Sequence, residues 1–392
     1  MEKKKRRVRL PVCVLACVLC LAVGASAALI GVRTMLGEDG VTILQAARII
    51  QERFVGDYDR DAYRQAVLGA MVDDLGDRWS YYLTPEEYAS VQDARRNAYV
   101  GIGITVDREE PDGLRILTVT KGGPAEEAGL LPGERIRAVE GTAVTPEDRD
   151  VCIELIRGEE GTAVTLTVEA ADGTARTVEI TRSTVQGISA VWSMLDGQVG
   201  LITIGNFYSG TAALVEEGLS ELQAQGARAL ILDVRNDPGG YVTELTEILD
   251  ALLPEGDVFI SRSWDGSEKV YTSDAACVSL PLAVLVNADS YSAAEFLAAE
   301  LRESAGAVIV GEQTSGKGYS QQLFALADGS AMGLSTARYF TGSGESLIGK
   351  GLTPDVPVAL DEDQAQALLY GQLEPPDDPQ LQAALHALAA AE

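Results

Sequence analysis

The 392-residue chain contains one histidine, His386, set in the alanine-rich run LQAALHALAAAE near its end. A Ser-His-Asp arrangement would depend entirely on that terminal residue, and a zinc site built from histidine and cysteine is excluded. Cysteine is also scarce. Of five, Cys13, Cys17 and Cys20 sit in an apolar N-terminal segment, leaving Cys152 and Cys277 either to pair in an oxidising compartment or to remain free thiols. Basic residues are few beyond the first nine positions (MEKKKRRVR), where 25 remain against 58 acidic ones. So acidic a body repels phosphate backbones, which excludes a nucleic-acid partner. GKGYS at 316–320 lacks the spaced glycines and the hydroxyl after lysine of a phosphate-binding loop. No metal and no cofactor are expected.

Residues 10–32 (LPVCVLACVLCLAVGASAALIGV) carry no charge. About 20 such residues span a bilayer as a helix, and the basic cluster before them would stay cytoplasmic. A retained single-pass anchor with the remainder extracytoplasmic is the expectation. A signal peptide cleaved after Ala25-Ser26-Ala27 is the competing reading, and a lipobox at Cys17 or Cys20 matches poorly. All three imply export.

Residues 41–94 show helical spacing in VTILQAARIIQERFV and DAYRQAVLGAMVDDLG, followed by LTPEEYASVQ with Thr84 as a cap. From 97 to 184 the texture is β-type: YVGIGITV, LRILTVT, RIRAVEG, AVTLTVEA and TARTVEITR, broken by Gly, Pro and Asp. From 198, apolar runs alternate with amphipathic helices, which predicts a layered α/β domain with a mostly parallel sheet. The expected class is therefore α/β (α+β overall). Its segments are 1–35 anchor or signal, 36–96 helical, 97–184 β-rich, 185–360 α/β core and 361–392 helical tail, broken at PPDDP.

Sites in such sheets form where strands end and helices begin. Three junctions carry unusual residues: Arg235-Asn236-Asp237-Pro238-Gly239-Gly240 after LILDV, VNADSYSAAE (286–295), and GEQTSGKGYSQQ (311–322) after AVIV. Ser290 or Ser292 at a helix start is ordinarily a cap, yet a helix N-terminus also stabilises the negative charge of an attacked carbonyl. With no usable histidine, a lysine kept neutral by burial can serve as base. Lys317, between two glycines, is the candidate, and Gln321 could hydrogen-bond its amine without adding charge.

At these residues, and from about 45 to 358, the chain resembles the carboxyl-terminal processing peptidases, serine proteases with a Ser–Lys dyad and a PDZ domain. The resemblance rests on LGAMVDDLGDRWSYYLTPEEY, YVGIGITV, KGGPAEEAGLLPGERIRAVEG, LDVRNDPGG, VNADSYSAAE, VGEQTSGKGYSQQ and ARYFTGSGESLIGKGLTPDVPV, in family order. It implies Ser292 as nucleophile, Lys317, 25 residues on, as base, and Gln321 as its support. It also implies an oxyanion hole from the N–H groups of Ala293 and Gly239. Block 97–184 then looks like a PDZ domain. Val100, Gly101, Ile102 and Gly103 would bind a substrate's free C-terminus, with Ile102 and Ile104 taking its last side chain. Homodimerisation through 36–95 and the tail is implied as well. Tyr291, Ala294 and Ser315 depart from the family pattern without removing a catalytic group. Two rival readings are a catalytically weak PDZ scaffold tethering exported proteins and an esterase for small substrates.

Overall fold

The computed structural model describes residues 10–107, 113–170 and 172–390. It divides into two compact units, 1–67 and 68–392. In the first, Leu10–Arg53 is helical with a break at Gly37, where φ is +67°. Among the described residues no helix is long and apolar enough to cross a membrane. The basic tip, 1–9, and most side chains of 10–36 lie outside the description, so the expected anchor finds no support here.

The second unit is organised around a six-stranded sheet. Its order is Ala190–Leu195, Val199–Ile204, Ala229–Asp233, Leu282–Val286, Val308–Gly311, Val356–Pro357. Only the first pairing is antiparallel; the others are parallel, as expected from the alternation of strand and helix. Every residue of ALILD and LAVLV is buried, because helices cover both faces. Leu230, Leu232, Val284 and Val286 face the helix Ala293–Ala305 and its neighbours. Ile231, Ala283, Leu285 and Val310 face the tail, through Leu381, Ala384 and Leu388 of the helix Pro379–Ala390. The tail is fastened by a buried ion cluster. Arg235 donates to both oxygens of Asp233 and to Asp378 Oδ2 at 2.8 Å, and also to Gln380 Oε1. His386 is exposed on that helix.

A second sheet holds five strands: Tyr81–Leu83, Ala331–Thr341, Gly256–Ser263, Glu268–Ser273 in sequence of pairing, and Tyr319–Ala325 on Ala331–Thr341. The β-rich block forms its own sheet, Ile104–Asp107, Leu114–Val119, Arg135–Val139, Ala163–Glu169 and Ala175–Thr181, around a separate core that includes Leu114, Ile136 and Leu166. Its neck is the antiparallel pair Ala98–Gly101 and Ser183–Gln186. The helix Pro85–Arg95 starts as expected at Thr84, in a capping box with Glu87. Cys152, buried in the β-rich core, and Cys277 are both free.

Candidate active site

Three turns at the carboxyl ends of adjacent parallel strands converge. The turn after Ala229–Asp233 meets the turn after Leu282–Val286 through reciprocal bonds. Asn236 N–H donates to Asn287 Oδ1 at 2.9 Å, and Asn287 Nδ2 donates to Asn236 Oδ1 at 2.7 Å. Tyr291 N–H donates to the Asp237 carbonyl. Gly239, at φ +79°, packs directly on the second turn: a Cβ there would lie 2.8 Å from Ala293 N and 2.9 Å from Ser292 Cβ. Only glycine permits that approach.

Ser292 precedes the helix Ala293–Ala305 with φ 59° and ψ −122°, a conformation that costs non-glycine residues about 1–3 kcal/mol. It is nearly buried, at 8% exposure. Ser290 is a different kind of residue. Fully buried, its hydroxyl donates to Val234 O at 2.7 Å and accepts from Asn287 N–H, so it serves the turn.

Lys317 ends the third turn. Burial is the main cause that lowers its pKa, to about 8; the positive charge of Arg95 adds to the lowering, while Glu295 and Asp77 pull upward. Its Nζ lies 5.0 Å from the Trp79 ring centre and 5.5 Å from that of Tyr291. These faces favour the ammonium once it forms. Ser292, Lys317, Gln321, Gly239, Gly240 and Tyr291 line one cavity of about 430 Å³. The Ser292 hydroxyl and the Lys317 amine are not hydrogen-bonded to each other, among the described residues.

Two expected contacts are arranged differently. Gln321 Nε2 donates to Tyr319 O at 3.0 Å and Ser335 Oγ at 3.2 Å, so its amide is held by its own sheet rather than by the lysine. Gly239 N–H, expected as an oxyanion donor, is taken up by Asp237 Oδ1 at 2.7 Å, an acceptor two residues back in the same turn. Among the described residues, the N–H groups of Gly240 and Ala293 donate to no such internal partner. Asp237 Oδ2 is buried without a hydrogen bond, and burial raises the pKa of this carboxyl well above the usual range.

The residue that ties the site together is Glu295, fully buried in the first turn of the helix Ala293–Ala305. Its carboxylate accepts four hydrogen bonds: Ser292 N–H at 3.0 Å, Thr314 Oγ1 at 2.5 Å, Gly316 N–H at 2.7 Å and Lys317 N–H at 2.9 Å. One side chain thus fixes the backbone of both the serine and the lysine. Burial raises its pKa, and these bonds oppose the rise. The sequence carried a signal for it, the S-x-x-E spacing of a capping box, but only the capping half was readable. Trp79 and Arg95 carried no local signal. Arg78 clamps their strap to the third turn, donating to Ser315 O at 3.1 Å and lying 4.2 Å over the Trp79 ring.

In the β-rich block, Gly101, Ile102, Gly103 and Ile104 line a groove of about 300 Å³ together with Ile153, Ile156 and Arg157. Val100 does not; it pairs with Thr184 in the neck. Arg157 was not anticipated.

Comparison with known proteins agrees with this geometry. The profile of peptidase family S41 matches residues 198–358 and that of the PDZ domain residues 115–169. The carboxyl-terminal-processing protease of Synechocystis sp. is 33% identical over 327 residues, covering 81% of this chain and 75% of that one. The chain belongs to the S41 peptidases, among the carboxyl-terminal processing proteases. It is accordingly a serine-type peptidase. The carboxy-terminal processing protease CtpA of Bacillus subtilis is 32% identical, covering 79% of this chain and 67% of its own. The chain spans 63% of the length of relatives from Staphylococcus aureus. Among solved structures, the photosystem II D1 C-terminal processing protease is 28% identical, covers 86% of this chain and 92% of its own, and superposes with a TM-score of 0.48.

Proposed function

We propose that this S41 peptidase cleaves exported or membrane-associated proteins with a Ser292–Lys317 dyad, after capturing their free C-termini in the groove at Gly101–Ile104. The observation that carries the reading is a strained serine at a helix start and a lysine of depressed pKa in one cavity, both fixed by Glu295. Neutral Lys317 takes the Ser292 proton as the oxygen attacks the peptide carbonyl. The developing oxyanion meets the N–H of Ala293 at the helix start and that of Gly240, neither of which donates to an internal partner among the described residues. The lysinium, faced by Trp79 and Tyr291, then protonates the leaving amine. Water hydrolyses the acyl-enzyme by the reverse proton path, with Lys317 again as base. Gln321 lines the same cavity, and with its amide nitrogen held by Tyr319 O and Ser335 Oγ, its oxygen is the group proposed to accept from the Lys317 amine.

In the groove, the N–H groups of the Gly101–Ile104 loop receive a carboxylate, with Arg157 at the rim and Ile104 against the last side chain. The basic tip and apolar run at the N-terminus are read as the export element, and a homodimer as the working form. The deciding experiment is a fluorophosphonate label on Ser292 combined with turnover of an unfolded protein substrate. Labelling and cleavage should both vanish in Ser292→Ala. Cleavage at the parent rate by Lys317→Ala would overturn the dyad.

A further inference from the structure

The formal charge of the chain is −28, yet the charged side chains lining the catalytic cavity are Lys317 and Arg95, both basic. Arg95 closes the helix Pro85–Arg95, and a basic residue in a last turn suits the helix dipole. That accounts for its sign but not for its isolation. Elsewhere in the chain Arg235, Arg176 and Arg262 each rest on a carboxylate. Half-buried Arg95 has no carboxylate partner among the described residues; its Nη2 reaches only the Tyr81 hydroxyl, at 3.4 Å. A guanidinium is made for bidentate contact with a carboxylate. Here one faces the reacting residues with that capacity unused.

We propose that Arg95 is a specificity-determining residue that binds a carboxylate of the substrate beside the scissile peptide. The carboxylate is either an acidic side chain flanking the cut or the substrate's own C-terminal group when the cut lies close to it. The proposal rests on the reading of this cavity as the catalytic one. It concerns a second anchor, separate from the groove at Gly101–Ile104. The acidic surface around a basic cavity would leave acidic segments disfavoured at the approach and favoured only once inside, so the selection acts at the cut.

The test uses the full chain and internally quenched peptides in two matched arms. One arm varies Glu, Gln and Lys at each position flanking the cut; the other compares a free C-terminus with its amide. A charge-assisted contact of this kind predicts about a ten-fold higher kcat/KM for the carboxylate member, carried mainly in KM. Preference in the first arm identifies an acidic side chain; preference in the second alone, retained in Arg157→Gln and lost in Arg95→Gln, identifies the terminal group. Arg95→Gln should bring the ratio to about one, Arg95→Lys should retain part of it, and Arg95→Glu should turn it toward lysine. Arg157→Gln, in the groove, should leave the flanking-residue ratio intact. Equal turnover of both members by the active parent protein, or an unchanged ratio in Arg95→Gln, would overturn the proposal while leaving Ser292 and Lys317 in place. Failure of the parent to be labelled at Ser292 would instead remove the catalytic reading, and this one with it.

Discussion

The depressed pKa of Lys317 fixes the shape of the pH profile. With a value of about 8, roughly 9% of the amine is neutral at pH 7, half at pH 8 and about 91% at pH 9. kcat/KM should therefore rise about ten-fold between pH 7 and 9 and then level off. A lysine left at its ordinary value of 10.5 would instead give roughly a hundred-fold rise over the same interval, with no plateau by pH 9. The two cases separate cleanly in a peptide assay run in constant ionic strength. The same shift has a sign in stability. Between about 8 and 10.5 the unfolded chain binds the proton that the folded chain has released, so stability climbs with pH across that window. Thermal melts of an inactive Ser292→Ala protein should show this climb relative to a Ser292→Ala, Lys317→Met protein. A roughly hundred-fold rise with no plateau by pH 9, or melts that run parallel for the two proteins, would refute the argument that burial neutralises the amine.

Gly239→Ala places a Cβ 2.8 Å from Ala293 N and Tyr291 O, so turnover should fall at least about a hundred-fold with a folded protein in circular dichroism. Glu295→Gln sets an amide N–H₂ against backbone N–H groups and weakens bonds worth about 1.5–3 kcal/mol each. It should lower kcat far more than it alters KM, and slow Ser292 labelling in step. Ile104→Asp in the groove should weaken binding of an apolar free C-terminus by at least about ten-fold in calorimetry, with the labelling rate of a small fluorophosphonate unchanged. Arg235→Ala leaves Asp233 and Asp378 buried without their cation and should cost about 3–5 kcal/mol in denaturant unfolding.

What could be read from the sequence follows from where each residue points. ALILD, LAVLV and VIVG are continuous apolar runs because both faces of their sheet are covered, so their pattern survives in one dimension. Two strands of the second sheet left no such trace. In Tyr319–Ala325 no side chain is buried, and in Glu268–Ser273 only the last is; pairing with neighbours, not an apolar rhythm, makes them strands. GEQTSGKGYSQQ therefore showed only as a junction after AVIV, although a strand begins two residues after the lysine. The pairing of Ser292 with Lys317 came from the family resemblance, which supplies the spacing of 25 residues between them. The rings over the lysine were not legible: Trp79 lies more than two hundred residues away and arrives only through tertiary packing. Tyr291, puzzling as a replacement beside the nucleophile, has its place as the second of those rings. Gly239 lies against the Ser292 turn, while its N–H is engaged by Asp237, a contact that no sequence pattern states.

The four bonds to Glu295 have a consequence for control. Because one carboxylate holds the main chain at both Ser292 and Lys317, a movement that loosens either turn releases the other. On the proposed mechanism the serine and the lysine would then be placed together or not at all, and a chain that is still folding or locally open should not cut.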